Sequence, residues 1–312
     1  MSVVLWIVIA VIIVLVLCTA YITYRITFHS PNAAQSDFRN LPPGEQYEER
    51  KDEMLALVDA LAPVPYEPVS ITSRDGLRLA GRYYHVAKGA PVDIGFHGYR
   101  GNAVRDYCGV SWISMEAGRN LLLVEQRAHS LSQGHTITFG VKERYDCVDW
   151  CRWAVNRFGA DVTLTISGVS MGAATVLMAS GLDLPDNVRC IIADSPYTSP
   201  PAIIRKVCRE DMHLPDKLLM PFTYLGALLF GGFRLGAADA SEAVKRAKIP
   251  ILLIHGEDDR FVPCAMSETV RANCASPVER HTFADAGHAL SYLVDKPRYI
   301  AMVLDFWKRY GK

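Results

Sequence analysis

The sequence has no surplus of either charge: 33 Lys and Arg stand against 33 Asp and Glu. A polyanion such as nucleic acid needs a basic patch, and the balance gives no sign of one as a partner. A cysteine framework is lacking too. Of eight cysteines, Cys18 lies in an apolar run, and the rest are odd in number and without framework spacing, which reads as reduced thiols. Cys147 and Cys151 lie four apart on a predicted helix and read as neighbours on one face rather than as a metal pair. No internal repeat appears, and no motif requires a metal or an organic cofactor.

Charge is wholly missing from Ser2 to Tyr24, where Val, Ile and Leu dominate. As a helix, Val3 to Ile22 would be about 30 Å long, enough to cross a bilayer core. Trp6, Tyr21 and Tyr24 sit near its ends, as interfacial side chains do. A cleaved signal peptide fits worse, because no Lys or Arg precedes the run and no Ala-x-Ala site follows. Residues 1–24 are therefore expected to be a single-pass anchor in the cell membrane. Arg25, Arg39, Arg50 and Lys51 follow it, so the positive-inside bias puts the large domain on the cytoplasmic side.

Residues 25–65 read as a connector, broken at Ser30-Pro31-Asn32 and Leu41-Pro42-Pro43-Gly44, with a helix over Gln46–Leu61 that packs on the domain. Residues 66–312 form the main domain. Val69–Thr72 and Leu77–Tyr84 flank Ser73-Arg74-Asp75-Gly76 as a hairpin. Strands are then expected at Pro91–Phe96, Asn120–Glu125, Val162–Ser167, Arg189–Asp194, Pro250–His255 and Glu279–Ala284. Helices are expected at Ala103–Ala117, Lys142–Phe158 and Asp295–Tyr310. This alternation predicts an α/β fold: a mainly parallel sheet with helices on both faces. Pro200 to Lys248 is too long for a plain connection. It reads as an inserted helical cap over the site, about 200–248, with an ordinary core helix or a membrane-touching lid as the other readings. Its apolar stretch is too short and too Gly/Pro-broken to span a bilayer.

Val162–Ile166 runs into Gly168-Val169-Ser170-Met171-Gly172, and small apolar residues continue to Ser180 at helical spacing. A strand, a sharp Gly-x-Ser-x-Gly turn and a helix lift the serine hydroxyl off the sheet top on a strained backbone. Gly168 and Gly172 are expected where a Cβ would collide with the packed strand and helix. Serine is a weak nucleophile and needs a base oriented by an acid. Among nine histidines, His288 follows the last strand and precedes the closing helix, where a loop projects over the sheet. His255 and His97 read as turn and loop supports. His129 and His135 lack the company that metal ligands need. Glu257, Asp258 and Asp259 all follow a strand end, and spacing does not separate Asp258 from Asp259. The oxyanion needs two donors: the Met171 N–H, and one from His97-Gly98-Tyr99-Arg100-Gly101-Asn102.

With these motifs in place, the chain resembles the α/β-hydrolases, and within them bacterial membrane-anchored hydrolases of the serine-aminopeptidase-like group. The resemblance covers residues 66–310 and rests on HGYRGN (97–102), EQRAHSLSQG (125–134), GVSMGAAT (168–175), ADSPYTS (193–199), HGEDDRFVP (255–263) and AGH (286–288). It implies the α/β-hydrolase fold, with Ser170 as nucleophile, Asp259 as acid, His288 as base, and the Met171 and Tyr99 amides as the oxyanion hole. Glu125 and Ser130 depart from the Asp and Gly usual in relatives. Both alter a loop beside the site, not the triad. The expected function is a serine hydrolase acting through an acyl-enzyme on an ester or thioester. Its substrate would be small-molecule or lipid-like, carrying a lipophilic acyl group. A peptidase or acyltransferase with the same triad is the alternative, and a non-enzymatic binding protein on the same fold is the alternative of another class.

Overall fold

The computed structural model describes residues 3–30 and 37–312; the expected break at Pro31-Asn32 lies outside them. Helix α1 (Val3–Thr27) is followed by α2 (Glu45–Glu48) and α3 (Lys51–Leu61). Then come β1 (Glu67–Thr72), β2 (Arg78–Tyr84), β3 (Val92–Phe96), α4 (Ala103–Tyr107), α5 (Ser111–Glu116), β4 (Asn120–Val124) and α6 (Glu143–Phe158). Next are β5 (Leu164–Val169), α7 (Met171–Ala179), β6 (Val188–Asp194), α8 (Pro200–Lys206), α9 (Asp216–Leu229) and α10 (Ala240–Ala243). The chain closes with β7 (Ile251–Gly256), α11 (Ala265–Asn273), β8 (Val278–Phe283), α12 (Ser291–Val294) and α13 (Lys296–Tyr310).

The strands form one eight-stranded sheet in the order β1-β2-β4-β3-β5-β6-β7-β8. Only the pairings β1–β2 and β2–β4 are antiparallel; from β4 to β8 all are parallel. Side chains of a strand alternate between faces. Ile191, Ile251 and Leu253 therefore join the core beneath α6 and α7, whereas Ile192, Leu252 and Ile254 join the one beneath α13 and α5. A third cluster sits under α3 and α4. Burial on both faces explains why these strands read as continuous apolar runs. The strand carboxyl ends, where such folds place their functional loops, carry Gly98, Ser170 and Asp259.

The expected helix over Ala103–Ala117 divides into α4 and α5. It breaks beside Gly109, which lies so close to the Tyr292 ring that an added Cβ would overlap it. Helix α1 runs three residues beyond the expected anchor, and α11 had no sequence signal. The 200–248 segment is helical, but α9 lies along α1 instead of over the cavity that holds Ser170. Gly226 of α9 sits against the Ala20 carbonyl, where a Cβ would not fit, and Phe230 meets Tyr21 edge-on at 5.1 Å. No residue lining that cavity comes from 200–248. The connector takes the place expected of the cap.

Candidate active site

The backbone places the nucleophile. Ser170 stands between β5 and α7 at φ +55°, ψ −113°, a conformation a non-glycine residue holds only when its surroundings over-determine it. Those surroundings are dense. A Cβ on Gly172 would overlap the Phe96 carbonyl, and one on Gly168 the Gly172 carbonyl, which is why both neighbours are glycine. The Ser170 N–H donates to Asp194 O at 2.8 Å, and every residue of α7 is buried.

His288 and Asp259 arrive on the loops after β8 and β7. Ser170 Oγ donates to His288 Nε2 at 2.8 Å, and His288 Nδ1 donates to Asp259 Oδ2 at 2.7 Å. All three are buried. The other oxygen of Asp259 accepts the Phe261 and Val262 amides at 2.9 and 2.7 Å. Burial pushes the Asp259 carboxyl up, but the charge of His288 and hydrogen bonds from His255 and His288 outweigh it and hold the group well below the usual carboxylate range. It stays an anion oriented toward the imidazole, which is what a base needs of its acid. Glu257 and Asp258 are exposed. His255 braces the acid turn, with Nε2 bonded to Val262 O at 2.9 Å.

Facing the elbow is the loop after β3. A Cβ on Gly98 would stand 3.4 Å from the Ser170 Cβ, so loop and nucleophile adjoin. Asp106 Oδ2 accepts the Gly98 N–H at 2.7 Å and Oδ1 accepts Arg105 Nε at 2.7 Å. Burial raises the Asp106 carboxyl, yet the Arg105 and His97 charges and these bonds bring it below its ordinary value. His97 and His129 are loop supports. His97 Nε2 accepts the Gln126 N–H at 3.0 Å, and His129 Nε2 accepts the Arg100 N–H at 3.1 Å. Burial, first, and the His97 charge push the His129 imidazole far down, leaving a ring nitrogen free to accept. Among the described residues, no hydrogen bond engages the Tyr99 or Met171 N–H, and Tyr99 lines the cavity beside Ser170.

Sequence reasoning missed the connector. Gln46 Oε1 accepts the His288 N–H at 3.1 Å, and the Tyr47 hydroxyl donates to His288 O at 3.1 Å. Leu41, Pro42, Pro43, Met54 and Leu57 form an apolar wall of the cavity of about 500 Å³ in which Ser170 and His288 lie. The Pro-Pro-Gly break at 42–44 was the one local sign of a turn there; its destination depends on tertiary packing.

This sheet, elbow and Ser–His–Asp relay define an α/β hydrolase. A model of the prolyl oligopeptidase family matches residues 137–312, over half of the chain, and the protein belongs to that family. It is 27% identical to YqkD of Bacillus subtilis over 192 residues, 62% of this chain and 63% of YqkD, so the match spans under two thirds of that relative. It is 26% identical to YfhR of Escherichia coli K12 over 237 residues, 72% of this chain and 74% of YfhR. Among solved structures, the esterase Pf2001 of Pyrococcus furiosus superposes with TM-score 0.66 at 24% identity, covering 81% of this chain and 94% of Pf2001.

Proposed function

We propose that the chain is a membrane-anchored serine hydrolase that cleaves esters or thioesters of apolar acyl groups through an acyl-enzyme. The observation that carries this reading is the continuous relay from Ser170 through His288 to Asp259, at 2.8 and 2.7 Å, opening on a largely apolar cavity. Ser170 Oγ attacks the substrate carbonyl carbon while His288 Nε2 takes its proton. The Tyr99 and Met171 amides hold the oxyanion. Collapse of the tetrahedral adduct breaks the bond to the leaving alcohol or thiol, which receives the proton from His288. Water then gives a proton to His288 and attacks the acyl carbonyl; the acid leaves and Ser170 regains its proton.

The apolar wall from Leu41 to Leu57 supports a lipophilic acyl group, and Pf2001 is by name an esterase. The family name would favour an amide. Among the described residues, the carboxylates lining the cavity are Asp106 and Asp194; Asp106 is engaged by Arg105 and Gly98 and Asp194 by the Ser195 and Tyr299 hydroxyls, which leaves both poor receivers for a peptide α-amine. Helix α1 is the one described helix long and apolar enough to cross a membrane, and Arg25, Arg39, Arg50 and Lys51 favour a cytoplasmic domain. Kinetics on p-nitrophenyl esters and acyl thioesters of rising chain length test the reading against aminoacyl p-nitroanilides. kcat/KM should rise from acetyl toward longer acyl groups. A preference for the anilides would replace the esterase reading with a peptidase one.

A further inference from the structure

The loop that carries the second oxyanion amide lies outside the family match, and it meets the apolar helix. A helix ends with unpaired carbonyls. At the end of α1, two adjacent loop side chains take them. The Tyr99 hydroxyl donates to Thr27 O at 2.8 Å, and the Arg100 guanidinium donates to Ile26 O at 2.8 Å and to His29 O at 3.3 Å. A cation is favoured there by the helix dipole, and it also sits 5.1 Å from the Tyr99 ring centre.

The chain just past α1 is not a free tether. Phe28 is fully buried, edge-on to Phe139 at 5.8 Å and Phe233 at 5.2 Å. Phe139 in turn packs on the Tyr99 ring at 4.8 Å. The backbone is stitched to the 135–137 strip by Ser30 N–H to His135 O at 3.0 Å and Ile137 N–H to Phe28 O at 2.8 Å. Arg100 itself is in the left-handed region at φ +50°. Such strain in a non-glycine residue persists only where neighbours impose it, and it gathers at working sites. Here it is imposed from two sides: His129 holds the backbone N–H, and α1 holds the guanidinium.

We propose that the end of α1 is a positioning element of the active site. By clamping the side chains of Tyr99 and Arg100, it fixes the loop that aims the Tyr99 amide at the oxyanion, so that transition-state stabilisation depends on the docked helix. This rests on the serine-hydrolase reading above. Tyr99 acts on the reacting atoms through its backbone; its hydroxyl and Arg100 act through the loop.

The test uses the full chain in vesicles of phosphatidylethanolamine and phosphatidylglycerol, with p-nitrophenyl butyrate as substrate and an alkyl boronic acid as tetrahedral analogue. Loss of a complete oxyanion donor costs about 10²–10³ in kcat. Tyr99→Phe removes one oxygen and no packing, and should lower kcat about 10-fold. Tyr99→Phe with Arg100→Gln should lower it about 10²-fold. The boronate Ki should rise by matching factors while KM moves less than about 2-fold, because only the transition state needs the donor. Arg100→Lys, still able to cap a carbonyl, should recover most of the Arg100→Gln loss. Wild-type kcat in the double variant, or in Tyr99→Phe alone should the double variant not fold, would overturn the inference, whatever happened to thermal stability. Wild-type protein that neither turns over ester nor takes a fluorophosphonate would overturn the hydrolase reading, and this inference with it.

Discussion

The two amides proposed to receive the oxyanion are held by opposite means. Met171 opens a helix buried along its whole length, between two glycines that admit no side chain. Its neighbours in sequence are its neighbours in space. Tyr99 sits in a loop whose fixings come from residues 26–29, from Asp106 and from His129. The elbow is marked by a short run of consecutive residues, wedged against the ends of β3 and β6 at Phe96 and Asp194, whereas the facing loop is fixed by side chains scattered over the fold. Changes at the elbow should cost folding or all activity; changes at the loop should cost rate in graded steps.

The largest effect expected of a single change in the relay, short of removing Ser170 or His288, is at Asp259. Asp259→Asn keeps the shape but offers His288 a mixed partner, and kcat should fall about 10⁴-fold with little change in KM, read by steady-state ester hydrolysis. Gly172→Ala comes next. The new Cβ would overlap backbone, which cannot step aside as a side chain can, so denaturant unfolding should show a loss of about 3 kcal/mol or more. A fully stable Gly172→Ala would mean that the elbow is looser than described. On the loop side, Asp106→Asn weakens a charge-assisted bond to Gly98, and kcat should drop about 10-fold with the protein still folded. Gln46→Ala leaves the His288 amide without its partner, a loss of about 1 kcal/mol or a factor of about 5 in kcat.

The smallest effect is on pH dependence. Glu125 is fully buried with Oε1 unpaired, and burial, chiefly, raises its carboxyl above the ordinary value. Its pKa is higher folded than unfolded, so its favourable contribution is complete below the unfolded pKa and is lost as pH rises through the folded one. Glu125→Gln should therefore gain stability over wild type at about pH 8 and match it at about pH 4. Thermal melts at the two pH values read the difference.

The same contrast explains what was legible. The sheet strands announced themselves because burial on both faces demands apolar runs, and the elbow because close approach demands glycine at 168 and 172. Asp259 was separated from Asp258 by resemblance, not by spacing; in the fold the difference is plain, since the turn buries only one of them against two backbone amides. The connector wall stayed hidden because Gln46 and Tyr47 reach a loop about 240 positions away, and nothing local in a short amphipathic helix names its target. The displaced cap is the same failure in reverse. The apolar character of 218–233 is real, but α1 claims part of it through Gly226 and Phe230. Phe28 read as the start of a linker, yet it is buried to the last atom. A protein cut at Asp37 would lack it, so the intact chain is the proper object for measurement.

That measurement is active-site labelling of the 312-residue chain by a fluorophosphonate, with Ser170→Ala beside it and the labelled peptide identified by mass spectrometry. The account predicts stoichiometric labelling on the peptide containing Ser170, and none in Ser170→Ala. Well-folded wild-type protein that takes no label would contradict an activated nucleophile at this site, and labelling that persists undiminished in Ser170→Ala would place the reactive serine elsewhere.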